Sequence, residues 1–160
     1  MYSFYDEKGK IKEIQRYLFL TESGNFDEAT REAIMHARKE MGAVENKKID
    51  LDTFKFIYNR YEKARQKEIV QKIFPKVDFP LSIYSYSEAM MEINKMLISL
   101  SSFYNIQTNL KLGNYYGDRT EKALSEFSDI YAINRDLGTI DENIFIMLKK
   151  DFDMIRCGDD

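Results

Sequence analysis

FDEATREAI at residues 26–34 and YGDRTEKAL at residues 116–124 repeat one pattern within a single chain. Each sets an aromatic residue, a short acidic turn, a Thr, and then an Ala followed by an aliphatic residue: Phe26, Thr30, Ala33 and Ile34 against Tyr116, Thr120, Ala123 and Leu124. A carboxylate ahead of a first helical turn meets the positive end of the helix dipole, a Thr there bonds locally, and an aromatic residue can anchor the turn in a core. Both stretches predict helix beginnings, and that alone is a sufficient structural reason for the match.

The correspondence extends in both directions. Ile14, Gln15 and Leu18 match Ile93, Asn94 and Leu97 at a spacing of 79; Thr30 matches Thr120 at 90; Ile49, Asp50, Phe54 and Ile57 match Ile140, Asp141, Phe145 and Leu148 at 91. The second copy therefore carries eleven more residues between its first two helices, in SSFYNIQTNLKLGN at 101–114. Long loops on rigid scaffolds often carry binding, so this insertion is expected to form a functional surface.

Helical periodicity accompanies each copy. Ile11, Ile14, Tyr17 and Leu18 form one stripe; Ala29, Ala33, Ile34, Ala37 and Met41 a second; Phe54, Ile57, Tyr61, Ala64 and Ile69 a third. Met90, Ile93, Leu97 and Leu100, then Ala123, Leu124, Phe127 and Tyr131, then Ile144, Met147 and Leu148 repeat the plan. Between them, IFPKVDFPLS at 73–82 places Pro75 and Pro80 where no helix can continue, yet it is too apolar for a flexible tether. The expected fold is all-α: a three-helix repeat at 1–72, an ordered Pro-containing apolar strap at 73–86, and a second three-helix repeat at 87–160. Ser85 and Glu88 have capping-box spacing at the start of the fourth helix.

Composition narrows the function. A net charge of -3 without a basic cluster argues against nucleic acid, and the most apolar window, around Met90 to Ile106, is too polar to span a bilayer. The opening residues show no export signal, and Cys157 is the single cysteine, so synthesis in a reducing cytoplasm is expected. His36 has no second His to share a metal with, and Cys157 with His36 makes no supported nucleophile pair. Asp50 with Asp52, and Asp151 with Asp153, are close in sequence, but a helix cap explains the first pair. No catalytic residue, metal or cofactor is expected.

The order of IKEIQRYL, SGNFDEATREAI and KIDLDTFKFIY, repeated as MMEINKML, GNYYGDRTEKAL and TIDENIFIML, resembles the peptidoglycan-binding domain family, a small three-helix fold. The strap and the long loop after it also resemble tandem wall-binding modules of clostridia and their phages. Ala37-Arg38 and Phe127-Ser128 stand where that family has an aromatic residue followed by Gln, and the chain contains no Trp. The resemblance implies a non-catalytic cell-wall (peptidoglycan) binding protein, with the wall or a phage-like particle as final site. Its alternative is a structural or adaptor protein of a phage-tail-like particle, contacting protein rather than glycan. The ligand-binding candidates are Asn25, Asp27, Asn114, Tyr115 and Asp118, whose rings, amides and carboxylates suit sugar faces and hydroxyls.

Overall fold

The computed structural model describes residues 4–106 and 109–158, with Phe4–Asp6 and Cys157–Gly158 described by backbone alone. The chain is mostly helical: α1 (Phe4–Tyr17), α2 (Glu28–Glu40), α3 (Leu51–Ile73), β1 (Leu81–Ser82), α4 (Glu88–Leu100), α5 (Asp118–Ile130), β2 (Thr139–Ile140) and α6 (Glu142–Gly158). It divides into two compact units, Met1–Arg65 and Gln66–Asp160.

The first unit closes on a small core of Leu18, Ile34, Ala37 and Ile57, flanked by Ile14, Tyr17, Leu20, Ala33, Ile49 and Phe56. Ile14, Tyr17, Leu18, Ala33, Ile34, Ala37 and Ile57 come from the helical stripes read from the sequence, whereas Leu20, Ile49 and Phe56 lie outside them. Asp27 caps α2, accepting from the Thr30 amide at 2.9 Å and its hydroxyl at 2.6 Å. Asp50 does the same for Thr53 at the start of α3, at 2.8 and 2.6 Å. Gly42, in the left-handed region at φ +78°, follows α2 and turns the chain away, a conformation that favours a residue without Cβ. Phe26 does not anchor this unit. It is half-exposed, with the Arg31 guanidinium 5.3 Å from its ring centre.

The second unit is built on a larger core, in which Met90, Ile93, Leu97, Leu100, Leu124, Phe127, Ile144, Phe145 and Leu148 are buried. The unit boundary falls inside α3 rather than after it: Val70 belongs to this second core, and the Gln66 amide donates to Asn143 Oδ1 at 3.0 Å. Pro75 ends the helix by disfavouring helical backbone in the residue before it. The expected strap at 73–86 is likewise part of this unit. Phe74 is buried and packs edge-on against Phe145, with centroids 5.4 Å apart, while Phe79 is half-buried against the same ring.

Beyond Pro80 the strap pairs rather than merely packs. β1 and β2 are antiparallel, with Leu81 opposite Ile140 and Ser82 opposite Thr139. On its next residues the strap turns to a different partner: Tyr84 N donates to Tyr116 O at 2.6 Å, Tyr116 N to Ser85 O at 2.9 Å, and Ser87 N to Asn114 O at 2.9 Å. Backbone groups outside a helix must be satisfied somewhere, and the strap and residues 114–116 satisfy one another. Ser87, not Ser85, caps α4 by accepting from the Ala89 amide at 3.2 Å, and the Ser85 hydroxyl bonds to Ser82 O instead. The long loop after α4 is anchored too, since Ile106 is buried in the core and Tyr104 and Leu110 pack against it. Gln107 and Thr108 of that loop lie outside the described residues.

Candidate functional site

Each unit has a buried polar joint at the start of its middle helix, built from positions that correspond in sequence. In the first unit Gln15, almost fully buried, has Nε2 at 2.9–3.0 Å from Ser23 Oγ, Asn25 O and Thr30 Oγ1, which share its two N–H groups, and accepts from the Gly24 amide at 2.9 Å. In the second, Asn94 Nδ2 donates to Gly113 O at 2.9 Å and Tyr115 O at 3.2 Å, and Thr120 Oγ1 donates to Asn94 Oδ1 at 2.8 Å.

The two amides present opposite ends to their threonines, and one residue accounts for it. A hydroxyl has a single proton. Thr30 gives its proton to Asp27, so it can only accept from Gln15. At the matched position the second unit has Gly117, which has no side chain to cap α5, and the Thr120 proton turns to Asn94.

Gly117 also leaves room. A Cβ at this position would lie 2.9 Å from Cε1 of Tyr115, so the Tyr115 ring rests over the glycine. A groove of about 400 Å3 opens there, lined by Leu110, Lys111, Leu112, Tyr115, Asp118 and Arg119 and floored by Asn94 and Thr120. The rim is aromatic. The Tyr86 ring lies 5.0 Å from that of Tyr115, and the Tyr84 hydroxyl donates to Asp118 Oδ1 at 2.6 Å. That bond to a carboxylate raises the Tyr84 hydroxyl above its ordinary pKa. Tyr84 sits at φ +66°, a conformation uncommon for a bulky residue, held by its bonds to Tyr116 O and Asp118.

Beneath this rim, Tyr116 is fully buried. Its hydroxyl donates to Glu121, which pairs with Arg135 at 2.7 Å and accepts from the Gly138 amide at 2.9 Å. Burial opposes the charge on Glu121, but Arg135, Tyr116 and the Gly138 amide outweigh it and hold the carboxyl below its ordinary range. Burial and then the bond to Glu121 push the Tyr116 hydroxyl up. This network fixes the strand-like segment that carries Tyr115.

The five candidate residues are divided between the units. Tyr115 and Asp118 share the groove, and Asn114 is exposed beside it, its carbonyl bonded to Ser87. Asn25 and Asp27 are exposed in the first unit; the Asn25 carbonyl serves the Gln15 joint, and Asp27 is spent on the α2 cap, which also holds its carboxyl below the ordinary value. Tyr84, Tyr86, Lys111 and Arg119 escaped the sequence reading. The alternation Ile83-Tyr84-Ser85-Tyr86-Ser87 was the available signal, since alternate aromatic residues in an extended strap mark one solvent-facing side.

His36 is exposed, and among the described residues no group of three or more His, Cys, Asp or Glu side chains is placed to hold a metal ion. The side chain of Cys157 lies outside the described residues. No helix among them is long and apolar enough to cross a membrane. Comparison with known proteins returned no matching family model, no matching curated protein and no matching solved structure.

Proposed function

We propose that the chain is a non-catalytic bacterial cell-wall binding protein whose two units are tandem peptidoglycan-binding-like repeats, the second being the stronger binder. The single observation that carries this reading is the groove at the start of α5, where an exposed Tyr ring and an exposed carboxylate, Tyr115 and Asp118, face solvent over a fixed backbone. Rings that offer an apolar face and a polar tip suit sugars. The matched joints of Gln15 with Thr30 and of Asn94 with Thr120 support the repeat. In the first unit the matched residues are Asn25 and Glu28, one without a ring and the other paired with Arg31 and Lys47. Binding without turnover is supported by the employment of Asp27, Asp50 and Asp141 as helix caps.

Sedimentation with purified sacculi tests the reading: the wild-type protein should pellet with them, and Tyr115→Ala should weaken binding by about 1–3 kcal/mol while leaving the helical signal unchanged. A chain that stays in the supernatant with sacculi from every plausible host refutes it.

One observation favours the second reading, an adaptor in a phage-tail-like particle. In the first unit Tyr17 packs against Phe54, Tyr58 and Tyr61 at 5.1–5.9 Å, and Phe19 and Tyr58 remain exposed. Exposed aromatic clusters suit protein partners. Co-purification with tail-like particles, lost in Phe19→Ser, would support the adaptor; particles free of the protein would count against it.

A further inference from the structure

We infer that the second unit holds a linear, uncharged oligosaccharide along a track that crosses the Tyr86–Tyr115 ring pair and joins two grooves. This rests on the wall-binding reading and deepens it, naming the glycan strand rather than the peptide stems as the part recognised.

The first groove, of about 400 Å3, has Tyr115 on its wall. A second groove, of about 630 Å3, runs along the strap and has Tyr86 on its wall, with Ser82, Ser85 and Ser87 among its hydroxyls. Because the two rings are 5.0 Å apart and inclined by 41°, they form a ridge shared by both grooves. Tyr86 is 73% exposed and Tyr115 41% exposed, so both rings are available for stacking. A ligand spanning both grooves is longer than one sugar ring, and it meets aromatic faces at the middle and hydroxyls and carboxylates at either side.

The charges select among polymers. Lys76, Lys111 and Arg119 stand against Asp78, Glu88 and Asp118, three basic side chains and three acidic ones, so the track offers no net attraction to a polyanion or polycation. A neutral chain of pyranose rings matches this balance: its apolar faces stack on tyrosines, and its hydroxyls and amides meet groups that both donate and accept. The track is also preset. Backbone bonds from the strap to residues 114–116 hold both rings, and Gly117 leaves the space into which the Tyr115 ring settles. Tyr84, kept in the left-handed region at the groove edge, places its hydroxyl on Asp118 and orients that carboxylate.

The test is titration of the intact chain with β-1,4-linked N-acetylglucosamine oligomers by NMR, in parallel with sacculus sedimentation. Affinity for the hexamer should exceed that for the dimer by about tenfold, because only the hexamer reaches both grooves. Tyr86→Ala should lower hexamer affinity by about tenfold, and Tyr86→Phe should keep most of it. Gly117→Ala retains every ring but displaces Tyr115, and should fall with Tyr86→Ala; an unchanged amide spectrum for Tyr86→Ala guards against misfolding. Equal affinity for dimer and hexamer, or a Tyr86→Ala variant that binds as wild type, overturns the track. If sacculi still pellet that variant fully, the wall-binding reading stands and the glycan track falls. If sacculi are not bound but the hexamer is, through Tyr86, the track stands and the wall-binding reading falls.

Discussion

Replacing Gln15 with Ala removes the centre of the first unit's polar joint. Its amide bonds the Gly24 N–H, Asn25 O, Ser23 Oγ and Thr30 Oγ1. Only some of these partners suffer. Thr30 keeps Asp27, and Ser23 and Asn25 lie at a solvated turn where water can substitute. The Gly24 amide is buried, and leaving it without an acceptor costs about 1–3 kcal/mol. The lost methylene adds about 0.8 kcal/mol. The expected destabilisation is thus about 2–4 kcal/mol. In a unit of this size each kcal/mol lowers the melting temperature by about 4–8 °C, so a fall of about 10–30 °C follows. Thermal unfolding by circular dichroism measures the fall, and hydrogen exchange at the Gly24 amide reports its cause. Gln15→Met restores the bulk without the acceptor, so it should recover about 1 kcal/mol and leave the Gly24 amide fast-exchanging. A Gln15→Met variant as stable as wild type would refute the hydrogen-bonding account and make the joint a matter of packing.

Ser128 presents the opposite case: its hydroxyl is buried without a partner, so Ser128→Ala should stabilise the second unit, by about 1–3 kcal/mol at most, read as a higher melting temperature. Thr53, through its hydroxyl and then its amide, and next Arg38, hold Asp50 down at about 2 against an ordinary 3.8. The unfolded chain therefore takes up that proton first as pH falls, so Asp50's contribution is complete above about pH 4 and lost towards about pH 2; Asp50→Asn should flatten the stability of the first unit across that window in pH-dependent melts. Arg135→Met leaves the mostly buried Glu121 carboxylate without its cation, with only the Tyr116 hydroxyl and the Gly138 amide, and should cost up to about 3–5 kcal/mol, whereas Glu121→Leu combined with Arg135→Met should cost less, as a double-mutant unfolding cycle would show.

The helices were legible because periodicity is local. Ile34, Ala37 and Ile57, and later Ile93, Leu97, Leu124 and Phe127, are buried where their spacing places them, and Tyr116 is the core anchor its position suggested. The strap was legible only as ordered and apolar. Its pairing partners, residues 114–116 and 138–140, lie about thirty to sixty residues away in sequence, and no local pattern records which backbone will answer which. The same gap hid Tyr84 and Tyr86 from the candidate site and let Ser85 stand in for Ser87 as the cap. The matched position of Phe26 misled because the Arg31 side chain covers its ring at the surface, where Tyr116 has instead a buried Glu121 and Arg135 to bond. Arg38 shows how a local departure can be self-consistent: it bonds Thr53 and Asp50, and where its counterpart shrinks to Ser128, Thr53's counterpart becomes Ile144.

The backbone of Tyr84 allows selection for folding and selection for binding to be told apart. A bulky L-residue at φ +66° is penalised by about 1–2 kcal/mol, whereas Gly and, to a lesser degree, Asn accept that geometry readily. A saturation library at position 84 sorted for protease resistance should therefore enrich Gly and Asn relative to other residues of comparable polarity. The same library sorted on ligand should return Tyr, whose hydroxyl alone reaches Asp118. Divergence of the two rankings at one codon would mark where the chain trades stability for recognition, with no ligand structure required.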